Sequence, residues 1–558
     1  MELVNLQSRP PASSDLAEED PVGIHDISAK TCLERFLIYG GSSYSAASTA
    51  SRKHLSSEAE SQMSSIVSEH GCRVVILIHQ ISTAKPARAP RNSYAAQLLG
   101  FCAAKGDVDT KRLALKVLPF VCRIPTDLNI FINNYRHYGG GWGRSFKRAV
   151  QNWHVSKKPA NLARLLSKYG NREGWKSEDR LRLAHINPTK FPFHAPVLKW
   201  FTKDDHDFSS ELPVLLDSLN PDAKSAVKAL GYLQAVEIIK DNPNNVGLIL
   251  DLVKAEGLPF QVIPTTLLKS MEVWSALLPT LGLTALLRNT RRFRDEAFFS
   301  DPSFQELYIS KISDESAIAE SRIHPFGVLQ AYLALASDTP YANGTSVISE
   351  DAYRAVSGAL SNAFLLAFGN VTPTNKRMLI ALDVSGSMSF NVLGTDITCA
   401  QASAFMAYYY AKTEPNVDIR CFSSRPLEAS PRRWTESLED LNNLFAEDGS
   451  DALALIEKGI WRRNFGTTDC SLPFLEATRE NLSVDVFMVF TDSETNSNSQ
   501  PPSRALQQYR EASGIDAKLV VNAMLANKIS IADPSDPGQL DVCGFDAGVP
   551  HVLSEFMK

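Results

Sequence analysis

At about residue 372 the periodicity of the chain changes, and the change separates two kinds of architecture. From Leu55 to Phe368 apolar residues recur at helical spacing in one segment after another, among them "SQMSSIVSEH", "SYAAQLLGFCAA", "VDTKRLALKVLPFV", "PTDLNIFINNYRHY", "GRSFKRAVQNWH", "NLARLLSKY", "AKSAVKALGYLQAVEII" and "VWSALLPTLGLTALLR". Short turns carrying Gly, Pro, Asp or Asn separate them, and Asp109 and Thr126 are expected to cap two of the helices. Helical hairpins of this type cannot bury their apolar faces alone, so they are expected to stack into a solenoid or a closed array. Beyond the change the apolar runs become short and β-branched, as in "RMLIALDV", "VDIRCF", "VDVFMVFTD" and "AKLVVNAML", and helical patterns such as "ITCAQASAFMAYYYAK" and "SRALQQYREAS" lie between them. Strands alternating with helices predict a mostly parallel, Rossmann-like sheet covered on both faces, with ligands at the carboxyl ends of its strands. The expected division is a flexible tail over 1–24, a helical repeat domain over 25–370 and an α/β domain over 371–558.

Several function classes fall away on composition. No stretch approaches the roughly 20 apolar residues that cross a bilayer, and the polar, acidic opening "MELVNLQSRPPASSDLAEEDP" lacks the basic head and apolar core of a secretory signal. The eight cysteines are scattered and form no CxxC pair, which argues against a disulfide framework or a zinc site and for reduced thiols in a cytoplasmic protein, with the nucleus as a second location. The net charge of -5 conceals an asymmetry: Lys85 to Lys203 holds 23 Lys plus Arg against 6 Asp plus Glu, or +17, leaving -22 elsewhere. A basic block on an otherwise acidic chain is the footprint of a face that binds a polyanion.

The densest part of that block reads "YRHYGGGWGRSFKRAVQNWH" and, shortly after, "NLARLLSKYGNREGWKSEDRLRLAHINP". Arg144, Lys147 and Arg148 stand at i, i+3 and i+4, so they project from one face of a helix. Trp142, Trp153 and Trp175 are interleaved with the charge; cations neutralise phosphates and exposed rings stack on unpaired bases, whereas Trp153, at helical spacing, is expected in the core. The run Gly139 to Gly143 follows no strand and leads into no Gly-Lys-Ser/Thr, so it does not read as a nucleotide loop.

The second chemical motif is "MLIALDVSGSMS". Asp383, Ser385 and Ser387 follow an apolar run at alternate spacing, so one carboxylate and two hydroxyls can converge on a point. Hard oxygen donors suit a divalent cation, Mg²⁺ first, with Mn²⁺ or Ca²⁺ as alternatives. The competing reading is that the serines only cap the next helix. "FGTTDCSLP" and "MVFTDSET" supply Thr467, Thr468, Asp469 and Asp492 at two further loops. This set resembles the metal-ion-dependent adhesion site of von Willebrand factor A domains. The resemblance implies that Thr468 and Asp492 complete the ligands, and that one metal position is left for an acidic group from a protein partner.

Seven blocks in order, "GWGRSFKRAVQNWH", "LSKYGNREGWKSEDRLRLAHINP", "GLTALLRN", "HPFGVLQAYLAL", "GTTDCSLPFL", "VFTDSET" and "ISIADPSDPGQLDVCGFD", resemble the Ro ribonucleoprotein autoantigen family from about Cys32 to the end of the chain. The resemblance implies a ring of HEAT-like helical repeats, the TROVE architecture, closed by a C-terminal von Willebrand factor A domain. It further implies binding of small structured Y RNA on an outer basic surface and of the single-stranded 3′ ends of misfolded RNA through the ring, in RNA quality control and without enzymatic activity. Lys168, Arg172 and His185 fall on positions that hold Y RNA in the family, with Arg136, Arg144, Lys147, Arg148 and Arg182 as additional phosphate contacts. The expected partner is therefore RNA, with no DNA specificity and no membrane, and the expected oligomeric state is a monomer. A metal-dependent protein-binding adaptor with an incidental basic face is the alternative. A metal-dependent hydrolase fits worse, because only Glu494 stands near the metal loop as a candidate base.

Overall fold

The structure, a computed structural model, describes residues 27–41, 44–45, 54–85, 87–203, 208, 211–218, 220–336, 348–392, 395, 397–422, 468–492, 500–525, 531–533, 536–546 and 548–558. The helical half opens with α1 (Ile27–Tyr39), α2 (Ser57–Thr83), α3 (Ser93–Lys105), α4 (Val108–Val121), α5 (Pro125–His137), α6 (Arg144–Val155), α7 (Pro159–Lys168) and α8 (Ser177–Ala184). It continues through α9 (Ala195–Trp200), α10 (Glu211–Leu216), α11 (Pro221–Asp241), α12 (Val246–Glu256), α13 (Met271–Leu277), α14 (Leu283–Arg288), α15 (Thr290–Asp295), α16 (Pro302–Ile312), α17 (Glu315–Ser321), α18 (Pro325–Ala336) and α19 (Glu350–Ala367). Neighbours in sequence pack as layers, and α3 is buried along nearly its whole length, from Tyr94 to Ala103. The backbones of α3 and α5 approach so closely at Gly100 that a Cβ there would stand 2.7 Å from the Phe131 carbonyl oxygen, a separation only glycine permits.

Two expected caps are corrected by the local chemistry. Asp107, not Asp109, caps α4 by accepting the Thr110 N–H, and Asp109 instead pairs with Arg112 in the first turn. Pro125 starts α5 and places Thr126 inside it; proline at the first helical position forfeits only a donor that the helix could not use.

The C-terminal half is a parallel sheet. Strands β4 (Met378–Asp383), β5 (Val417–Phe422), β6 (Val486–Thr491), β7 (Lys518–Ala523) and β8 (Gln539–Cys543) are covered by α20 (Cys399–Thr413), α21 (Leu472–Arg479), α22 (Pro502–Ser513) and α23 (Val549–Met557). All residues of β4, β6 and β8 are buried, which is why β4 and β6 read as near-continuous apolar runs, whereas β8 carries the buried polar side chains of Gln539 and Asp541. With a short edge strand, β1 (Tyr44–Ser45), at one side, the spatial order is β1-β8-β7-β6-β4-β5. The chain runs outward from β4 to β5 and then returns to the other side of β4 as β6, so the topological switch point lies between β4 and β6.

The edge strand β1 comes from the opposite end of the chain and pairs parallel with β8, Tyr44 against Val542. Around it, the Arg35 Nη2 group donates to the carbonyls of Asp536, Pro537 and Gln539, and Asp546 accepts from both Tyr44 and Arg91. The far end of the helical array meets the same unit through Phe326, which packs on Phe405 and Phe545, and through Phe364 against Tyr408. Both ends of the array thus seat on one α/β unit, and the helices form a closed ring. All eight cysteines are free thiols, and no described helix is long and apolar enough to cross a membrane.

Candidate nucleic-acid interface and metal centre

The carboxylate of Asp383 ends β4 with no solvent exposure. Its Oδ1 accepts the Ser385 N–H at 2.8 Å, and its Oδ2 accepts the hydroxyls of Thr468 at 3.2 Å and Thr491 at 2.8 Å. The hydroxyls of Ser385 and Ser387 lie 3.0 Å apart. Asp492, 5% exposed, follows Thr491 off the end of β6. Burial, joined by the like charge of Asp492, holds the Asp383 carboxyl above the ordinary carboxylate range despite these hydrogen bonds.

The five residues singled out for a metal, Asp383, Ser385, Ser387, Thr468 and Asp492, thus stand at three loops on the carboxyl edge of the sheet, with the first and last flanking the switch point. Ser385 occupies the cap position of the short 3₁₀ turn Gly386–Ser389 but makes no side-chain cap bond, so helix capping does not account for the serines. The donors are oxygen only, and a hydroxyl that gives its proton to a carboxylate keeps its lone pairs for a cation. Cys399 stands near both carboxylates, yet burial and then Asp492 and Asp383 push its thiol up to about 12, far from a metal-binding thiolate. The donor set therefore fits a hard divalent cation. No described residues form a group of three or more His, Cys, Asp and Glu. Thr491 was not among the expected ligands; its signal is its place immediately before Asp492 at a strand end. Thr467 and Glu494 lie outside the described residues.

On the basic half, α6 begins at Arg144 after Gly143 and has no acid in its first turn. Arg144 and Arg148 are exposed and Lys147 is half-buried. Cations at a helix N-terminus oppose the helix dipole, so this end of α6 has a strong positive potential unless an anion answers it. Phe146, Val150 and Trp153 form the opposite, fully buried face, as expected for Trp153.

A two-stranded hairpin lies beside this helix. β2 (Asn171–Arg172) pairs with β3 (Trp175–Lys176) across Glu173 and Gly174, both at positive φ, the geometry of a type I′ turn. Asn129 of α5 donates to the Arg172 carbonyl at 2.8 Å, and Asn133 donates to the Glu173 carbonyl at 3.0 Å. Beneath them Arg180, with no solvent exposure, donates to Asn129 and Ser177; burial brings its guanidinium down to about 10, still charged at neutral pH. The hairpin holds the exposed side chain of Arg172 outward. Arg136, at the end of α5, rests over the Trp175 ring, and Trp142 packs against the same ring. Trp175 is thus consumed in packing, and the exposed chemistry around it is cationic.

His185 follows α8 in left-handed conformation, φ 52°, with an exposed ring. Gln151 of α6 fixes its carbonyl and that of Ala184, which ties His185 to the helix bearing Arg144, Lys147 and Arg148. Arg182 is exposed one turn earlier and reaches the Thr202 carbonyl at 3.5 Å. Lys168 is placed differently. It ends α7 and, with Arg164, lines a separate cavity of about 720 Å³ whose other wall includes Phe260, Leu281 and Leu283. The structure therefore groups Arg136 and Arg172 around the hairpin and links His185 and Arg182 to α6, whereas Lys168 faces the neighbouring layer. Arg180 and Asn129, both without solvent exposure, and the half-buried Asn133 support the face and were not anticipated; their signal is the pair of asparagines four residues apart in α5.

Both halves of the chain match known protein families. A family model described as the TROVE domain matches residues 27–211 and 259–339, and one described as the Ro60 vWA domain matches residues 377–557. The RNA-binding protein RO60 of Caenorhabditis elegans is 32% identical over 489 residues, covering 80% of this chain and 72% of that protein. The protein of the same name from Deinococcus radiodurans is 32% identical over 552 residues, 96% of this chain and 94% of that one. The crystal structure of the Deinococcus radiodurans RO (RSR) protein superposes with a TM-score of 0.75 at 30% identity, covering 95% of this chain and 99% of that chain.

Proposed function

The chain belongs to the Ro60 family, with a TROVE domain followed by a Ro60 vWA domain, and from that premise we propose that it is an RNA-binding protein. The observation that carries the reading is the +17 segment between Lys85 and Lys203, folded so that Arg136, Arg144, Arg148, Arg172, Arg182 and His185 are exposed on linked elements. Affinity on such a face comes chiefly from neutralised phosphates and released counterions. Discrimination comes from RNA shape, because the deep groove of an A-form duplex is closed to side chains.

The ligand proposed for the outer face is a small, structured Y-type non-coding RNA, and for the ring the single-stranded 3′ end of a misfolded RNA. The protein would then act as a scaffold in RNA stability and quality control, in the cytoplasm with the nucleus as a second site, and not as an enzyme. In the vWA domain, Ser385, Ser387 and Thr468, with Asp383 and Asp492, would hold Mg²⁺, Mn²⁺ or Ca²⁺. A bound cation would supply a Lewis-acidic position for an acidic group of a protein partner. Asp383 fixes the loop through the Ser385 N–H, and Thr491 fixes Asp383.

Recovery of the protein from cells tests the class directly. RNA-binding predicts a raised 260/280 nm absorbance ratio that nuclease lowers, with a discrete small RNA on sequencing. A ratio unaffected by nuclease would favour the adaptor reading, in which the metal site acts alone.

A further inference from the structure

The seam where the first helix meets the α/β unit encloses a cavity of about 620 Å³, lined from both ends of the chain. Its charged lining is Arg35, Lys85, Arg88, Lys518 and Lys558 against Glu34 and Glu555. Both carboxylates are already committed: Glu34 to Arg88, and Glu555 to Arg88 and Lys558. Arg35, Lys85 and Lys518 form no ion pair with the described residues. Arg35 is buried and spends one nitrogen on three backbone carbonyls. The Lys518 ammonium donates to the Phe556 carbonyl at 2.8 Å and rests over the Phe556 ring, which leaves donor capacity unused. Lys85 stands exposed at the rim. Burial lowers the pKa of both Arg35 and Lys518, with Lys376 adding to the effect on Lys518, and the nearby charges of Asp536 and Asp516 do not offset it.

Three cations from α1, from the segment after α2 and from β7 therefore face one small-molecule-sized space. A carboxylate would neutralise one of them. A phosphate group with two or three charges and several acceptor oxygens meets all three, and guanidinium and ammonium groups are the side chains that bind it. The volume falls in the range of roughly 300–1,000 Å³ usual for small-ligand sites. We propose that this seam cavity binds a small phosphate-bearing anion through Arg35, Lys85 and Lys518, and that the bound anion bridges the helical array and the α/β unit. The phosphate is either a free anion such as pyrophosphate or the terminal phosphate of a nucleotide chain. The lining of this site includes none of Arg136, Arg144, Arg148, Arg172, Arg182 and His185, so it does not depend on the exposed basic face, although Lys85 opens the same basic stretch of sequence.

Calorimetric titration of the full chain with pyrophosphate, in metal-free buffer of low ionic strength, tests the site. Saturable one-to-one binding is expected, weakened about tenfold by Lys85→Gln, an exposed position whose replacement leaves the fold intact. Lys518→Gln is expected to do the same. Hydrogen exchange should slow on pyrophosphate addition in both 27–39 and 549–558. A 5′-phosphorylated trinucleotide that binds with the same Lys85 dependence, while its dephosphorylated form does not, would assign the phosphate to an RNA end; pyrophosphate binding alone would assign it to a free anion. Absence of saturable binding by either probe, or binding unchanged in both variants, overturns the site, and protection confined to one side of the seam overturns the bridge.

Discussion

Arg180 donates a hydrogen bond from Nη1 to Asn129 Oδ1 at 2.9 Å, and neither side chain reaches solvent. Asn129 passes the support on by donating to the Arg172 carbonyl, so a buried cation holds the backbone from which an exposed one projects. Arg180→Ala strands the Asn129 oxygen and is expected to cost about 2–3 kcal/mol of stability, together with a loss of RNA affinity as the hairpin loosens. Arg172→Ala is expected to lose affinity while stability stays within about 0.5 kcal/mol. Denaturant titration beside an RNA-binding curve separates the two; equal stability in both variants would contradict the supporting role of Arg180.

The proposed metal centre makes a prediction that needs no partner protein. Saturating Mg²⁺, at about 100 times its dissociation constant, is expected to stabilise the protein by about 2.7 kcal/mol, and Asp383→Ala is expected to abolish that gain. Thr491→Val removes a hydroxyl that donates to Asp383 and is expected to weaken Mg²⁺ about tenfold, the usual effect of losing an outer partner of a ligand. Thermal melts with Mg²⁺ and with chelator provide the comparison. A Mg²⁺ response that persists in Asp383→Ala would move the metal elsewhere.

Two buried histidines predict the acid limit. Burial pushes His154 down to about 3, and burial with the neighbouring His551 pushes His324 down to about 4. Both are neutral when folded at pH 7, whereas unfolded they gain protons below about 6.5. Their contribution to stability is thus complete above 6.5 and is lost as pH falls from there toward the folded values, at up to about 1.4 kcal/mol per pH unit each. His324 accepts the Phe326 N–H; His324→Asn keeps an acceptor there and is expected to shed about half of this slope between pH 6 and 5. Denaturation midpoints across that range decide it, and an unchanged slope would remove His324 from the account.

Much of the fold was legible in the sequence because its elements carry their own signals. The strands from Met378 and Val486 are near-continuous apolar runs, and the strand from Lys518 has an apolar centre. The strand from Val417 alternates apolar residues with Asp418 and Arg420, and α6 has charge and apolar residues on opposite faces. What could not be read depends on distant partners. β1 is two residues long and exists because β8 offers it an edge some five hundred positions away. β8 itself includes the buried Asp541, which interrupts its apolar run and accepts the Ala532 N–H. The hairpin at 171–176 is polar and short, and it is fixed by Asn129 and Asn133 of another helix. Of the metal set, Asp383, Ser385 and Ser387 follow from local spacing. Thr491 stands beside Asp492 in sequence, but its hydrogen bond to Asp383 forms only because β4 and β6 lie side by side. Lys168 and Arg172, four apart in sequence, look like one contact point until the end of α7 and the hairpin turn them toward different surroundings.

That divergence bears on the central claim, that the basic face between Lys85 and Lys203 binds RNA through its phosphates. The most direct test is a filter-binding titration of a small structured RNA across a range of salt, comparing wild type with Lys168→Ala, Arg172→Ala and the double variant. The account predicts weaker binding and a log–log salt slope shallower by about one for each phosphate no longer neutralised, with thermal stability unchanged. Affinity and slope identical to wild type in the double variant would contradict it.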